Sequence, residues 1–429
     1  MKSISVVRIN LIKKYKNYAA EQSEKADFCG SPFSYPCTWF YNVGYLKIRS
    51  LYKFSFLKII IQYMREVYLI GTLKNIELLK PYHKLKDKKK FKNMYITWCK
   101  KEDLDHKFNF NSTHIPRFSK NNLWVLINVG KNKIENSKIN KNLYILQKKK
   151  EFSFTFLIRT VLKIIILNNY NIKKSLSKIN VDAVFSNYIY NQTIKILHNS
   201  NIKKIYLPFE GQPFQKNLIK KIREKKKIKF YGFLNALQPF PIHLYDKTNK
   251  PDFNYSTSRI QIKQLVRFFN WEKEKIKLIK SNRFDYKNTK KYYNKILLPF
   301  SIHNHSILTN NLRLLLNIMP KNYFGNLVSV PHPSSKNNIE YKKFLQNINE
   351  LIELNIHKFN NYLNKKSIVF GSTSMVLEAL ECDATVFHIV NEPELECLDN
   401  NFWPCVDINR IRSNIFKYKK RHKKKLINY

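Results

Sequence analysis

Glycine is scarce in this chain, with 8 in 429 positions. No Walker-type loop and no G-x-G-x-x-G occurs, which counts against P-loop nucleotide hydrolysis and typical dinucleotide binding. Acidic residues are also few: 30 Asp and Glu stand against 78 Lys and Arg, a net charge of +48. The lysines are spread through every segment and mixed with asparagine and isoleucine, as A/T-rich codon usage would produce. Denser runs occur at Lys84–Lys92, Lys220–Lys229 and Lys417–Lys425. Each reads as a solvated face or as adhesion to an anionic membrane surface, where a basic residue contributes ~1 kcal/mol. Nucleic acid ranks third and is not expected as a partner. The six cysteines (Cys29, Cys37, Cys99, Cys382, Cys397, Cys405) form no C-x-x-C pair, and no histidine spacing suggests zinc, so no metal site is expected. Lys13, Lys14 and Lys16 interrupt the only apolar patch near the start, which argues against a signal peptide and for a cytoplasmic, reduced protein. No run of 18 apolar residues exists; Phe154–Leu167 carries Arg159 and Lys163 and reads as a buried or amphipathic helix.

What is present is clearest at residues 368–389. Ile368–Phe370 has the look of a buried strand, Gly371 ends it, and Ser372, Thr373 and Ser374 follow. Met375–Leu380 has helical spacing, and Thr385–Ile389 reads as the next strand. This βαβ unit puts a glycine and three hydroxyls at a helix start, where free amide N–H groups favour an anion. The plain alternative is that Thr373 or Ser374 caps the helix.

Upstream, Ile296–His303 reads as a strand, Ile307–Met319 as a helix, and Val328–Val330 as a strand leading into Pro331, His332 and Pro333. The order strand, helix, strand, helix, strand, helix, strand implies an open parallel sheet. Ligands in such sheets lie at the carboxyl ends of the strands. His303, His332 and the Ser372–Ser374 turn each follow a strand, so they would face one crevice or stand as ordinary loop residues.

The first half divides less sharply. Leu123–Val129 and Ile202–Pro208 read as strands, and Phe154–Asn168 as a helix. Val181–Ser186 reads as a short strand followed by a helix over Gln192–Leu197. Phe230–Asn235 is a further strand, residues 246–258 read as loop, and Arg259–Leu278 has helical periodicity. A second doubly wound domain follows from this alternation. The polar segment Asp285–Lys295 holds the linker, giving domains at 1–286 (with 1–100 unassigned) and 287–415, then a basic tail at 416–429.

Glu210 follows the Ile202–Pro208 strand, beside Gly211 and Gln212 in an aromatic setting. Partial burial there would raise its pKa toward that of a general base. Alternatively it caps the helix that begins near Pro213.

Together these features resemble the GT-B glycosyltransferases, α/β proteins with two doubly wound, Rossmann-like domains and a cleft between them. Within that class the pattern is similar to bacterial polysialyltransferases, Kdo transferases and related proteins of capsule and lipopolysaccharide synthesis. Glu210-Gly211 matches their acid-glycine pair, His332-Pro333 their His-Pro pair, and Ser372, Thr373 and Ser374 their hydroxyl cluster. Phe209 stands where some relatives carry a second acid, and Asp383 where a glycine commonly closes the helix. The resemblance implies an inverting, metal-independent enzyme that uses no cofactor and transfers a sialic-acid- or Kdo-type sugar from a CMP-sugar to a glycan or lipid-linked acceptor. It implies that Glu210 and His332 are catalytic, Glu210 as the base and His332 by stabilising the charge of the departing phosphate, and that His332, Pro333, Gly371 and Ser372–Ser374 hold the nucleotide. Glu378 would bind the ribose or face solvent. Gly211, Gln212, Arg283 and His303 are weaker candidates for substrate contact. A peripheral position at the inner face of a membrane fits a lipid-linked acceptor. A CDP-glycerol-type polyol phosphotransferase, a sugar-nucleotide epimerase and a non-enzymatic nucleic-acid-binding protein remain open.

Overall fold

A computed structural model describes residues 76–79, 91–104, 121–128, 142–148, 152–167, 181–198, 200–210, 213–234, 249–281, 286–299, 304–332, 339–371, 373–391, 393–421 and 425–428, together with 64, 68, 71, 110, 115, 132, 134, 237, 239, 244, 283 and 284. Gly211, Gln212, His303, Pro333 and Ser372 lie outside the described residues, as do Cys29 and Cys37.

The first half forms an eight-stranded sheet. Its strands are β1 (Ile76–Leu79), β2 (Asn93–Cys99), β3 (Leu123–Asn128), β4 (Leu143–Lys148), β5 (Lys204–Pro208), β6 (Lys229–Leu234), β7 (Phe253–Ser256) and β8 (Ile276–Leu278). They lie in the order β1-β4-β3-β2-β5-β6-β7-β8. Every neighbouring pair is parallel except β1 with β4. The first five residues of β3 are buried, as for a central parallel strand covered on both faces. From β2 the chain builds outward to β4. It then returns through α1 (Phe154–Leu167) and α2 (Val181–Leu197) to place β5 on the other side of β2. Strand order therefore reverses between β2 and β5, the place where doubly wound sheets commonly hold ligands.

Three expectations for this half are corrected. Val181–Ser186 is the first part of α2, not a strand. Its apolar positions 181, 184 and 185 fit a helical face as well as an extended run, and only length separates the two. Residues 253–256, expected as loop, form β7; its polar Asn254 and Ser256 are buried within the sheet. The helical periodicity of 259–278 ends at Phe269, where α4 (Arg259–Phe269) closes on Asn270 in the left-handed conformation, and β8 follows. Earlier in the chain, α3 (Pro213–Arg223) buries Leu218, Ile219 and Ile222 together with Lys216, and leaves Lys220 and Lys221 partly exposed.

The second sheet has the order β10-β9-β11-β12-β14-β13. Its strands are β9 (Lys295–Leu297), β10 (Val328–Val330), β11 (Lys366–Phe370), β12 (Thr385–Ile389), β13 (Val406–Arg412) and β14 (Ile415–Lys420). Helices α5 (His305–Ile318), α6 (Ile339–Leu354) and α7 (Met375–Glu381) connect the first four, which are mutually parallel. Here the order reverses between β9 and β11. The sheet begins at Lys295, after a 3₁₀ segment at Tyr286–Tyr292. Both halves are thus doubly wound α/β layers of a GT-B-like kind.

The basic tail expected from 416 onward is instead largely structural. β14 pairs antiparallel with both β12 and β13. Ile415, Phe416 and Tyr418 are buried while Lys419 points outward, so alternation lets a lysine-rich strand keep an apolar face. Beyond it, Leu426 and Ile427 are buried. The Leu426 N–H donates to Glu381 Oε2 at 2.7 Å. Asn428 then reaches the first half: its carbonyl accepts from the Ser281 N–H and its N–H donates to the Thr257 carbonyl, both at 2.7 Å. Gln264 Nε2 to the Phe402 carbonyl (2.8 Å) and Trp403 Nε1 to the Pro239 carbonyl (2.7 Å) extend this seam. One hydrophobic core runs through it, from Ile205 and Leu207 to Trp403 and Tyr418.

Candidate active site

The Gly371 turn lies at the reversal point of the second sheet. Gly371 adopts φ +62°, a left-handed conformation that costs an ordinary residue about 1–2 kcal/mol. A Cβ there would meet Pro299 only at 3.4 Å, so conformation rather than crowding requires the glycine. The turn is held from beneath by His388, a fully buried residue of β12. Its Nε2 lies 2.7 Å from the Gly371 carbonyl and its Nδ1 3.3 Å from Tyr418 Oη. A carbonyl can only accept, so Nε2 carries the proton and Nδ1 accepts from the tyrosine hydroxyl. That hydroxyl in turn accepts from the Leu398 N–H at 3.2 Å. Burial pushes the His388 pKa down to about 4, so the ring is neutral at physiological pH.

The two described hydroxyls of the turn, those of Thr373 and Ser374, are engaged. Thr373, one residue before the N-cap, accepts from the Met375 N–H through its Oγ1 at 3.3 Å, a local turn bond. Ser374 Oγ donates to Glu378 Oε1 at 3.0 Å and makes no side-chain cap bond. Glu378, offered as a ribose ligand or a solvent-facing residue, is the hub of a cluster. Its Oε2 accepts from Tyr292 Oη at 2.6 Å, and its Oε1 lies 4.0 Å from Arg283 Nε. Burial, with the Glu378 carboxylate beside it, drives the Tyr292 hydroxyl pKa well above its usual value, so the tyrosine stays a donor.

His332 leaves β10 on the same carboxyl edge. Its N–H donates to Tyr341 Oη at 2.8 Å. The imidazole pKa is lowered by burial first, then by the positive charges of Arg283 and Lys100. Lys100 follows β2 of the first sheet, so this electrostatic coupling joins the two halves. The carboxyl edge of one sheet acts on the carboxyl edge of the other. Two exposed cations beside a half-buried imidazole favour an incoming anion.

Glu210 stands on the first sheet's edge, two residues past β5. Strands β2 and β5 are paired with Tyr95 opposite Tyr206, so Glu210 and Lys100 leave neighbouring strands at the reversal point. Glu210 is half-buried. Its N–H donates to Gln215 Oε1 at 2.9 Å, and Gln215 Nε2 donates to the Pro208 carbonyl at 2.7 Å. The third residue of α3 thus reaches back to fix the loop. Gly232 of β6 fixes it from the side: a Cβ there would sit 2.9 Å from Phe209 Cβ and 2.7 Å from Asn254 Oδ1.

The structure therefore gathers Arg283, Ser374 and Glu378 into one cluster, couples His332 to Arg283 and Lys100, and has Glu210 and Lys100 follow neighbouring strands. Lys100, Tyr292 and His388 were not singled out from sequence. The position of Lys100 directly after an apolar strand was the available signal. Asp103-Leu104-Asp105, spaced like a metal-binding acid pair, also follows β2. Asp103 Oδ2 accepts from the Lys100 N–H at 2.7 Å, and Asp105 lies outside the described residues. Among the described residues no group of three His, Cys, Asp or Glu could hold a metal ion.

No known family's sequence profile matches the chain, and no curated protein matches it. Among solved structures the chain is similar to a glycosyltransferase from Rickettsia africae. The two are 12% identical, the match covers 69% of this chain and 79% of that one, and the TM-score is 0.33.

Proposed function

We propose that this chain is a nucleotide-sugar-dependent glycosyltransferase that works by inversion without a metal. The donor, on this reading, is a CMP-linked sialic-acid- or Kdo-type sugar and the acceptor a surface glycan or its lipid-linked precursor. The observation that carries the reading is the meeting of two strand-order reversals. Lys100 at the first lowers the imidazole pKa of His332 on the second sheet's edge, and Glu210 follows the strand next to that of Lys100.

In this scheme the nucleotide phosphate sits among His332, Arg283, Lys100 and the Gly371 turn. Glu210 accepts the proton from the acceptor hydroxyl as its oxygen attacks the anomeric carbon. The bond from that carbon to the phosphate oxygen breaks on the opposite face, and CMP leaves with the electron pair. These cations and amide donors stabilise the charge that develops on the phosphate. Glu378 holds Ser374 and Arg283 in place.

Glu210→Gln keeps the shape and hydrogen-bonding capacity of the side chain but removes the base. Transfer should fall ~100-fold or more, while CMP binding by calorimetry stays within twofold. Unchanged turnover would remove Glu210 from the chemistry. A thermal-shift screen of CMP, CDP and UDP ligands comes first; turnover of CDP-glycerol with release of CMP would move the assignment to polyol phosphate transfer.

A further inference from the structure

Helix α1 is the most unusual surface element among the described residues. Phe154, Ile158, Leu162 and Ile166 are 65%, 42%, 51% and 55% exposed, and Phe152 just before the helix is 44% exposed. Their spacing of four puts them on one slowly winding stripe. The opposite side is anchored: Leu157 is buried, and Phe156 packs against the main core. Exposed Tyr68 lies at the same end, where its ring stacks on Phe152 at 5.4 Å. A row of large apolar side chains left in water marks a docking surface.

The charge beside the stripe selects the occupant. Arg159 and Lys163 are exposed next to it, and α1 contains no acidic residue. Lys148, Lys149 and Lys150 precede it, Lys173 and Lys174 follow it, and Glu151 is the one acid between Lys148 and Lys174. At 1.5 Å per residue a 14-residue helix is about 21 Å long, short of the ~30 Å needed to cross a bilayer. No described helix is long and apolar enough to span.

We propose that α1 is an interfacial membrane-docking helix, seated parallel to an anionic lipid surface with Phe154, Ile158, Leu162 and Ile166 among the acyl chains and Arg159 and Lys163 at the headgroups. Such helices combine an apolar face with basic flanks, and their affinity depends on both. The inference stands on α1 alone and does not depend on the enzymatic reading.

The full chain should co-sediment with phosphatidylcholine–phosphatidylglycerol vesicles far better than with phosphatidylcholine vesicles. Ile158→Ser with Leu162→Ser should weaken that binding at least tenfold without changing the melting temperature. Arg159→Glu with Lys163→Glu should weaken it similarly and remove most of its salt dependence. Equal binding by the parent and the serine double variant would overturn the proposal, because basic patches elsewhere would then suffice. A parent dimer that becomes a monomer in the serine variant would also overturn it, assigning the stripe to a second copy of the chain.

Discussion

His388 links acidity to the integrity of the Gly371 turn. Its pKa in the folded chain is about 4, against about 6.5 for an exposed imidazole. The unfolded chain therefore binds a proton that the folded chain refuses. The stabilisation is fully present above pH 6.5 and is lost as pH falls through the folded value. At 1.36 kcal/mol per unit, the whole window of two and a half units corresponds to about 3 kcal/mol, of which about 2 kcal/mol is gone by pH 5. His388→Gln keeps a donor for the Gly371 carbonyl and cannot titrate. It also leaves the Tyr418 hydroxyl without its acceptor, so the variant should be about 1–2 kcal/mol less stable at pH 7.5. Urea denaturation at pH 7.5 and pH 5 decides the matter. The parent should lose about 2 kcal/mol more than the variant between the two, nearly cancelling its advantage. Equal losses in both proteins would refute the linkage.

Because burial, Arg283 and Lys100 depress the His332 pKa, an anion bound among them should raise it again, so CMP binding takes up a proton. Affinity by calorimetry should rise as pH falls from 8 toward 6.5, and His332→Ala should weaken binding and flatten that dependence. Tyr292→Phe removes one donor from the half-buried Glu378 carboxylate. It should cost about 1–3 kcal/mol in denaturant unfolding and also weaken CMP binding if Glu378 positions Ser374; a loss of stability with unchanged binding would separate the two roles.

The four parallel strands of the second sheet could be read from the sequence, whereas β13 and β14 could not. Those four are short, strongly apolar and punctuated by Gly371, Pro331 and Pro333. Asp383, noted as standing where a glycine is common, does adopt the left-handed conformation at φ +59°. The strand β7 escaped because Phe-Asn-Tyr-Ser carries its buried face on polar side chains, which look like loop when their partners are unknown. The tail was misread for the converse reason: lysine content hid the alternation of Ile415, Phe416 and Tyr418. At the site, Glu210, His332, Glu378 and the Gly371 turn stood out by type and by position after strands. Lys100 did not, since one lysine among so many has no contrast. Tyr292 sat in what reads as a polar linker. Each acquires meaning only from a partner distant in sequence, such as Glu378 for Tyr292, and such pairings follow from folding rather than local pattern.

The seam that ties Asn428 to Ser281 and Thr257 runs along the β7–β8 flank of the first sheet, whereas Lys100 and Glu210 leave its middle. A bound book opens away from its spine, and these lobes should do the same. Four strand spacings separate β8 from β2, about 19 Å at ~4.8 Å each. A swing of roughly ten degrees about the spine would then shift Lys100 against His332 by about 3 Å over that same ~19 Å lever arm. That is enough to widen or narrow the space between Lys100 and His332 while the tethers of the spine stay made.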